Sequence, residues 1–148
     1  MNALNIATMS ITLERTIAAS PAEVFDAWLD PESKGSPWNG VVKTIVQPVP
    51  DGLFYRMHLA EQRDYELAHY GRFCILERPH KMQYTWVSQH TLGLESLVTL
   101  RFDPRGDATH LTLVHENLPD DDMGRRHQRG WTRYLDLLGE SMANKARR

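Results

Sequence analysis

The chain has 148 residues, with 17 lysine or arginine and 19 aspartate or glutamate residues, so its formal net charge is -2. This length suits one domain with one hydrophobic core and is short for two. The near-neutral charge provides no basic field to attract nucleic acid or an anionic membrane, so neither partner is expected.

The single cysteine, Cys74, cannot form an internal disulfide or a multi-thiolate zinc site. The opening segment MNALNIATMSITLER has no basic region followed by a long apolar stretch, and no later stretch approaches the roughly 18 apolar residues of a spanning helix. We therefore expect a cytoplasmic protein. Residues 1–148 are predicted to form a single domain, because no repeat or Gly/Ser linker interrupts them.

The first predicted elements are a strand and a capped helix. Residues 10–19 (SITLERTIAA) alternate apolar and polar side chains, as a half-buried strand does. In SPAEVFDAWLDPES, Ser20 is the predicted N-cap, Pro21 takes the first helical position and Glu23 completes a capping box. A proline then ends the helix, and residues 31–40 are predicted to form a short second helical turn followed by a loop.

The middle of the chain, from residue 41 to residue 119, is rich in Val, Thr, Tyr, Phe and Trp and is punctuated by turn signals such as PVPDG and DPRGD. This pattern predicts consecutive hairpins, and with the first strand an antiparallel sheet of about seven strands. The six further strands are predicted at residues 41–47, 53–62, 66–76, 82–89, 94–102 and 109–118.

A long amphipathic helix is predicted to end the chain. The three aspartates at 120–122 provide an N-cap and an acidic first turn, and NKARR places basic residues at the C-terminal end. Between them, apolar side chains recur in steps of three and four. The order β-α-α-β6-α predicts an α+β fold in which a curved sheet surrounds the helix, with a cavity between them.

Four segments, in this order, resemble one superfamily. They are LERTIAASPAEVFDAWLDPES, HYGRFCILERPHKMQYTW, VTLRFDPRGDATHLTLVHENLPDDDMGRRHQRGW and YLDLL. From about residue 11 to residue 142, the chain is similar to the START-like, helix-grip superfamily known as SRPBCC, and within it to the group named after the activator of the Hsp90 ATPase. The resemblance implies a deep, mostly apolar cavity. It does not choose among carriers, cyclases, resistance proteins and co-chaperone domains.

The sequence motifs do not support metal-dependent or covalent chemistry. No Ser-His-Asp order, P-loop, G-x-G-x-x-G unit or zinc pattern is present. His115 and Glu116 are adjacent on a predicted strand and point to opposite faces, and the acids at 120–122 fit helix capping without an ion. We expect neither a metal nor a cofactor.

Several histidines are candidates for polar groups in the cavity. Strand phase places His115 with Leu111 and Leu113, and His69 with Gly71, Phe73 and Ile75. If these faces point inward, both histidines can orient a ligand or act as a general acid or base. His127 and Trp131 share a helix face, with Gly130 beside them to allow close approach of the sheet or a ligand. His127 then lies at the cavity mouth or bonds a loop carbonyl, and Trp131 is a cavity wall, a core anchor or both.

The phase of residues 53–59 stays open. Hydrophobicity turns one set inward: Leu53, Tyr55, Met57 and Leu59. If the strand is instead aligned with those of relatives on the glycine at its start, the other set points inward: Phe54, Arg56 and His58. In the second phase Arg56 offers an anionic ligand group a fixed charge, unless Arg56 and His58 are merely solvated, and the outer apolar stripe is suited to a dimer contact.

Aromatic residues complete the candidate site. Trp38 is either a gate over the cavity mouth or a loop anchor in the core, and Tyr84 and Trp86 share a face that lines the cavity or the core. Cys74 is expected to face away from the cavity, and a nucleophilic role is not expected.

The sequence supports three hypotheses about function. The first is a non-enzymatic protein that binds a small, largely hydrophobic molecule, in a stress or resistance setting and as a monomer or homodimer. The alternatives are a co-chaperone-like module that regulates an Hsp90 ATPase, and a polyketide cyclase-like or hydrolase enzyme that uses a cavity histidine. The predicted ligand-binding residues are Trp38, Phe54, Arg56, His58, His69, Phe73, Tyr84, Trp86, Val98, Leu100, Leu113, His115, His127, Trp131 and Leu135.

Overall fold

The computed structural model describes residues 6–59 and 66–146. Residues 60–62, the end of one predicted strand, lie outside the described residues. In chain order the elements are strand β1 (Thr8–Ile17), helix α1 (Pro21–Leu29), strands β2 (Lys43–Val46), β3 (Leu53–Leu59), β4 (Glu66–Glu77) and β5 (Lys81–Ser88), a 3-10 turn (Gln89–Thr91), strands β6 (Ser96–Arg105) and β7 (Ala108–Pro119), and helix α2 (Asp122–Ala146).

The described strands form one antiparallel sheet in the order β1-β7-β6-β5-β4-β3-β2. Strands β2 to β7 pair with their neighbours in sequence, whereas β1 pairs with the last strand, β7, so that Ile11 lies opposite His115. The predicted α+β fold, with a curved antiparallel sheet of seven strands and a long C-terminal helix, is confirmed.

Both helices begin at the predicted caps. Ser20 accepts a hydrogen bond from the Glu23 N–H (3.3 Å), and the Glu23 carboxylate accepts one from the Ser20 N–H (3.4 Å). At the start of α2, the Asp121 carboxylate accepts from the Gly124 N–H (2.8 Å). Helix α2 buries Trp131, Leu135, Leu138 and Met142. Within the described ranges, no helix is both long and apolar enough to cross a membrane.

Residues 31–40 differ from the prediction. The N–H groups of Ser33, Ser36 and Asn39 each donate to the carbonyl three residues earlier, so the segment is a run of turns and no regular second helix forms. Gly35 has a φ of 96°, outside the helical region, and Pro37 has no N–H to continue a helix.

Strand β3 takes the second of the two phases at its start. Phe54 and Arg56 are each only 2 % exposed, whereas Leu53 is 64 % exposed, so the phase derived from hydrophobicity is wrong there, although Met57 of that set is also buried and His58 is partly exposed. Phe54 lies opposite Gly71 on β4, where an added Cβ would be 2.6 Å from the Phe54 ring. The missing side chain of Gly71 therefore makes room for the ring. The apolar residues left exposed on the outer face include Ile45, Leu53 and Tyr70.

A register shift in β4 corrects a second expectation. His69 and Phe73 are buried as predicted, but pairing with β5 shifts between Phe73 and Ile75. Beyond the shift Leu76, not Ile75, packs against the core. The predicted inward position of Ile75 is wrong, because an irregularity of one residue reverses the faces of a strand.

The role predicted for Gly130 is also wrong. A Cβ added at Gly130 meets nothing within 4 Å, so this glycine allows no close approach. Gly124 is the tight position in α2, since its added Cβ would lie 1.8 Å from the Pro119 carbonyl oxygen at the end of β7. The close contact of helix and sheet is therefore at the first turn of α2.

These two glycines offer a matched pair of substitutions in one helix. We expect Gly130→Ala to raise the free energy of unfolding by about 0.5–1 kcal/mol, because alanine has the higher helix propensity and the space is open. We expect Gly124→Ala to lower it by about 1–3 kcal/mol through overpacking. Urea unfolding followed by circular dichroism measures both, and a stable Gly124→Ala protein would contradict the close approach.

Candidate functional site

The region between the sheet and the helices is occupied by aromatic side chains. Trp28, Trp38, Phe73 and Tyr84 are at most 1 % exposed. The Trp38 ring centroid lies 5.2 Å from that of Phe54, 5.8 Å from that of Phe73 and 5.5 Å from that of Tyr84, which are packing distances. Trp38 is thus the loop anchor in the core rather than an exposed gate. Rings fill this part of the space in which a cavity was predicted.

Arg56 is the charged residue at the centre of the site. Its Nε donates to the Pro37 carbonyl (2.6 Å), Nη1 donates to His69 Nδ1 (2.9 Å) and Nη2 donates to the Tyr134 hydroxyl (2.6 Å). Its guanidinium carbon also lies 5.4 Å from the ring centroid of Trp86, within cation–π range. Arg56 therefore joins the loop after α1, strand β4 and helix α2.

All three hydrogen-bond partners of Arg56 are neutral. No carboxylate of the described residues forms an ion pair with it. Burial lowers the pKa of Arg56, although an arginine stays protonated in proteins. Of its five N–H groups, three are used by these partners, which leaves one on each terminal nitrogen.

The histidines beside Arg56 are neutral. Burial, and then the charge of Arg56, hold the pKa of His69 well below its usual range. The same two causes, with His90, lower the pKa of the half-buried His58 to about 4. The His58 and His69 rings are stacked at 5.5 Å. Because Arg56 donates to His69 Nδ1, the proton of His69 is on Nε2.

His115 belongs to a second polar cluster, in which both of its ring nitrogens have protein partners. Trp131 Nε1 donates to His115 Nδ1 (2.9 Å), so the proton of His115 is on Nε2, which donates to Ser96 Oγ (2.8 Å). Ser96 Oγ in turn donates to the Trp86 carbonyl. Burial, with His127 nearby, holds the pKa of His115 well below its usual range. This cluster fixes helix α2 against strands β5, β6 and β7.

Trp131 and His127 both lie on the sheet-facing side of α2. The Trp131 ring is 4.9 Å from the Trp86 ring and 6.1 Å from the Trp28 ring, so Trp131 is a core anchor. His127 Nδ1 donates to the Met123 carbonyl of its own helix (2.9 Å), and its ring lies edge-on to His115 at 5.2 Å. Burial lowers the pKa of His127.

Three buried nitrogens in or beside these clusters have no hydrogen-bond partner among the described residues. They are Trp38 Nε1, Trp86 Nε1 and His58 Nδ1. Native proteins satisfy nearly all buried polar groups, so these three atoms are candidates for hydrogen bonds to water or to a ligand. The indole nitrogens can only donate, so they require an acceptor.

The remaining predicted residues belong to the core around these clusters. Val98, Leu100, Leu113 and Leu135 are fully buried in the same hydrophobic cluster as Phe73 and Tyr84. Sequence reasoning missed the roles of Tyr134, the Pro37 carbonyl and Ser96. Only Tyr134 carried a signal, since it lies three residues after Trp131 on the same helix face. Within the described residues, no group of three or more His, Cys, Asp or Glu side chains is arranged to hold a metal.

Removal of the His115 side chain tests the second cluster. We expect His115→Leu to lower the free energy of unfolding by about 1–3 kcal/mol, because the buried Trp131 N–H loses its acceptor. His110→Leu is the matched control on the same strand, since His110 only meets the exposed Glu14 (2.9 Å) and its loss should cost less than about 1 kcal/mol. Equal costs in chemical denaturation would contradict the network.

The neutral histidines make stability depend on pH. His69 and His115 stay neutral in the folded protein but take up a proton in the unfolded chain below pH about 6.5, so stability is fully present above that pH and falls as the pH drops toward the lower folded-state pKa. Each contributes a slope that approaches about 1.4 kcal/mol per pH unit once the unfolded histidine is fully protonated. We expect His69→Gln to show a shallower decline between pH 6.5 and 5 in urea unfolding. An unchanged slope would contradict this prediction.

Comparisons with solved structures show the same fold in other proteins. A protein of Chromobacterium violaceum is 23 % identical with a TM-score of 0.72, and the match covers 90 % of this chain and 96 % of that one. An uncharacterized protein of Rhizobium leguminosarum is 18 % identical with a TM-score of 0.75, over 95 % and 97 % of the two chains. A structure described as an HSP90 activator from Plasmodium falciparum is 23 % identical with a TM-score of 0.70, over 86 % and 91 %.

The sequence itself identifies the family. No curated protein sequence matches the chain. The family described as "Activator of Hsp90 ATPase homolog 1-like protein" matches residues 18–143, which is most of the chain and includes both polar clusters. The resemblance seen in the sequence and the helix-grip fold expected from it are thereby confirmed, and this chain belongs to the Activator of Hsp90 ATPase homolog 1-like protein family.

Proposed function

We propose that this protein is a non-enzymatic binding protein for a small, largely apolar molecule, held between the sheet and helix α2 beside Trp86. The observation that carries the proposal is the set of buried nitrogens without a partner among the described residues, of which Trp86 Nε1 and Trp38 Nε1 are surrounded by aromatic rings. An apolar body with a few acceptor atoms matches these surroundings.

Partly exposed side chains at the two clusters give the ligand a route inward. His58 and Tyr134 of the Arg56 cluster and His127 beside His115 are partly exposed, whereas Trp86 and Arg56 are buried. Entry requires these outer side chains and some of the rings to move. His115 supports the site indirectly, because its network holds Trp131 and the Trp86 backbone.

Native mass spectrometry of the protein isolated from the cells that make it tests this proposal. We expect an adduct that is present under native conditions and absent after denaturation. The adduct should be lost in Trp86→Leu, which removes the ring beside the site, and retained in Leu53→Ala, which alters the exposed outer face. Circular dichroism serves as the control that both variants are folded. A bare chain in the native spectrum, with no adduct on the wild-type protein, would contradict the proposal.

A co-chaperone-like module is the second candidate. It is favoured by the family to which the chain belongs and by the fold shared with the structure described as an HSP90 activator. Under this candidate, the purified protein accelerates ATP hydrolysis by a purified Hsp90 and binds it in a pull-down. An ATPase rate that stays unchanged at saturating protein, together with an empty pull-down, would remove it.

A further inference from the structure

The charge of Arg56 points to the chemical class of the ligand, and the inference rests on the function proposed above. Arg56 is 2 % exposed, and no acid of the described residues pairs with it. A buried charge without a counter-charge is strongly unfavourable unless a partner neutralises it. A neutral acceptor satisfies hydrogen bonds but leaves that charge in place, and every partner of Arg56 is a neutral acceptor.

The hydrogen-bonding capacity left open on Arg56 and Trp86 consists of donors. Each terminal nitrogen of the guanidinium has one N–H without a partner among the described residues, and the Trp86 indole beneath it has another. His58 Nδ1, on the ring stacked against His69, is also unpartnered within the described part of the chain, and it donates in one tautomer of the neutral ring and accepts in the other. Two or more acceptor oxygens with negative charge match this arrangement.

The surroundings limit both the charge and the shape of the ligand. The neighbouring histidines are neutral, so the cluster carries one positive charge and a single negative charge balances it. Aromatic rings border the guanidinium, since its carbon lies 5.4 Å from the Trp86 centroid and 5.9 Å from the Tyr134 centroid. Flat or flexible apolar groups pack well on such rings.

We propose that the ligand is an apolar monoanion, of which a carboxylic acid is the simplest form, whose anionic group pairs with Arg56 and whose body packs on Trp86. The anion forms charge-assisted hydrogen bonds with the open N–H groups of Arg56 and accepts from Trp86 Nε1. Arg56 is a binding residue here, and the proposal includes no chemical step.

The test compares acids with their neutral amides. The probes are naphthoate and decanoate, and naphthamide and decanamide, titrated into the full chain near neutral pH while tryptophan fluorescence is recorded. We expect an acid to bind about tenfold or more tightly than its amide, because charge-assisted hydrogen bonds are roughly twice as strong as neutral ones. This comparison uses the wild-type protein and does not depend on how well any variant folds.

Two variants locate the anion. Arg56→Gln should remove the preference for the acid, while Arg101→Gln, which makes the same change of net charge at an exposed position on β6, should keep it. Thermal unfolding shows whether each variant is folded. A preference that persists in a folded Arg56→Gln protein would overturn the assignment to Arg56.

The outcomes separate this inference from the proposed function. If an amide binds as tightly as its acid, the proposed function stands and the anionic class is wrong. If none of the four probes binds at millimolar concentration, the anionic class is contradicted, and the presence or absence of an adduct in the native mass spectrum decides the proposed function separately. Tighter binding of the acid that depends on Arg56 supports both.

Discussion

The Arg56 guanidinium is the interaction on which the geometry of the site depends. It bonds to a carbonyl in the loop after α1, to a histidine on β4 and to a tyrosine on α2, so three parts of the chain meet at one group. This arrangement has a free-energy cost, because the guanidinium loses its hydration when it is buried to make these bonds. The fold tolerates the charge by surrounding it with neutral acceptors and aromatic faces, without an acidic partner among the described residues.

The His115 cluster, in contrast, connects the helix and the sheet through neutral groups only. Hydrogen bonds run from Trp131 to His115, from His115 to Ser96 and from Ser96 to the Trp86 carbonyl, and each has a defined donor. None of these groups carries a net charge. A fully satisfied neutral network of this kind holds a helix in register without a desolvated ion. The two clusters meet at Trp86, whose backbone belongs to one and whose ring lies beside the other. We therefore expect a substitution in either cluster to alter the surroundings of the same tryptophan.

Regular features were predictable because their causes are local. The capping box at Ser20, the Asp cap of α2 and the alternating strands depend on neighbouring residues, and the structure has them where the sequence placed them. The register shift after Phe73 and the contact of Gly124 with Pro119 depend on pairing between distant segments. For the same reason, the partners of Arg56 could not be identified, since Pro37 and Tyr134 are distant from it in sequence.

Strand β3 is where the hydrophobic pattern and the structure disagree. Hydrophobicity alone would bury Leu53 and expose Arg56, yet pairing with Gly71 turns Phe54 and Arg56 inward. Proteins generally keep local preference and global fold consistent, and departures from that consistency concentrate where a residue is needed for function. A buried arginine and an exposed leucine on one strand both oppose stability. The strand that breaks the pattern is also the one that carries the buried charge, which is the physical reason to propose ligand binding at this end of the sheet.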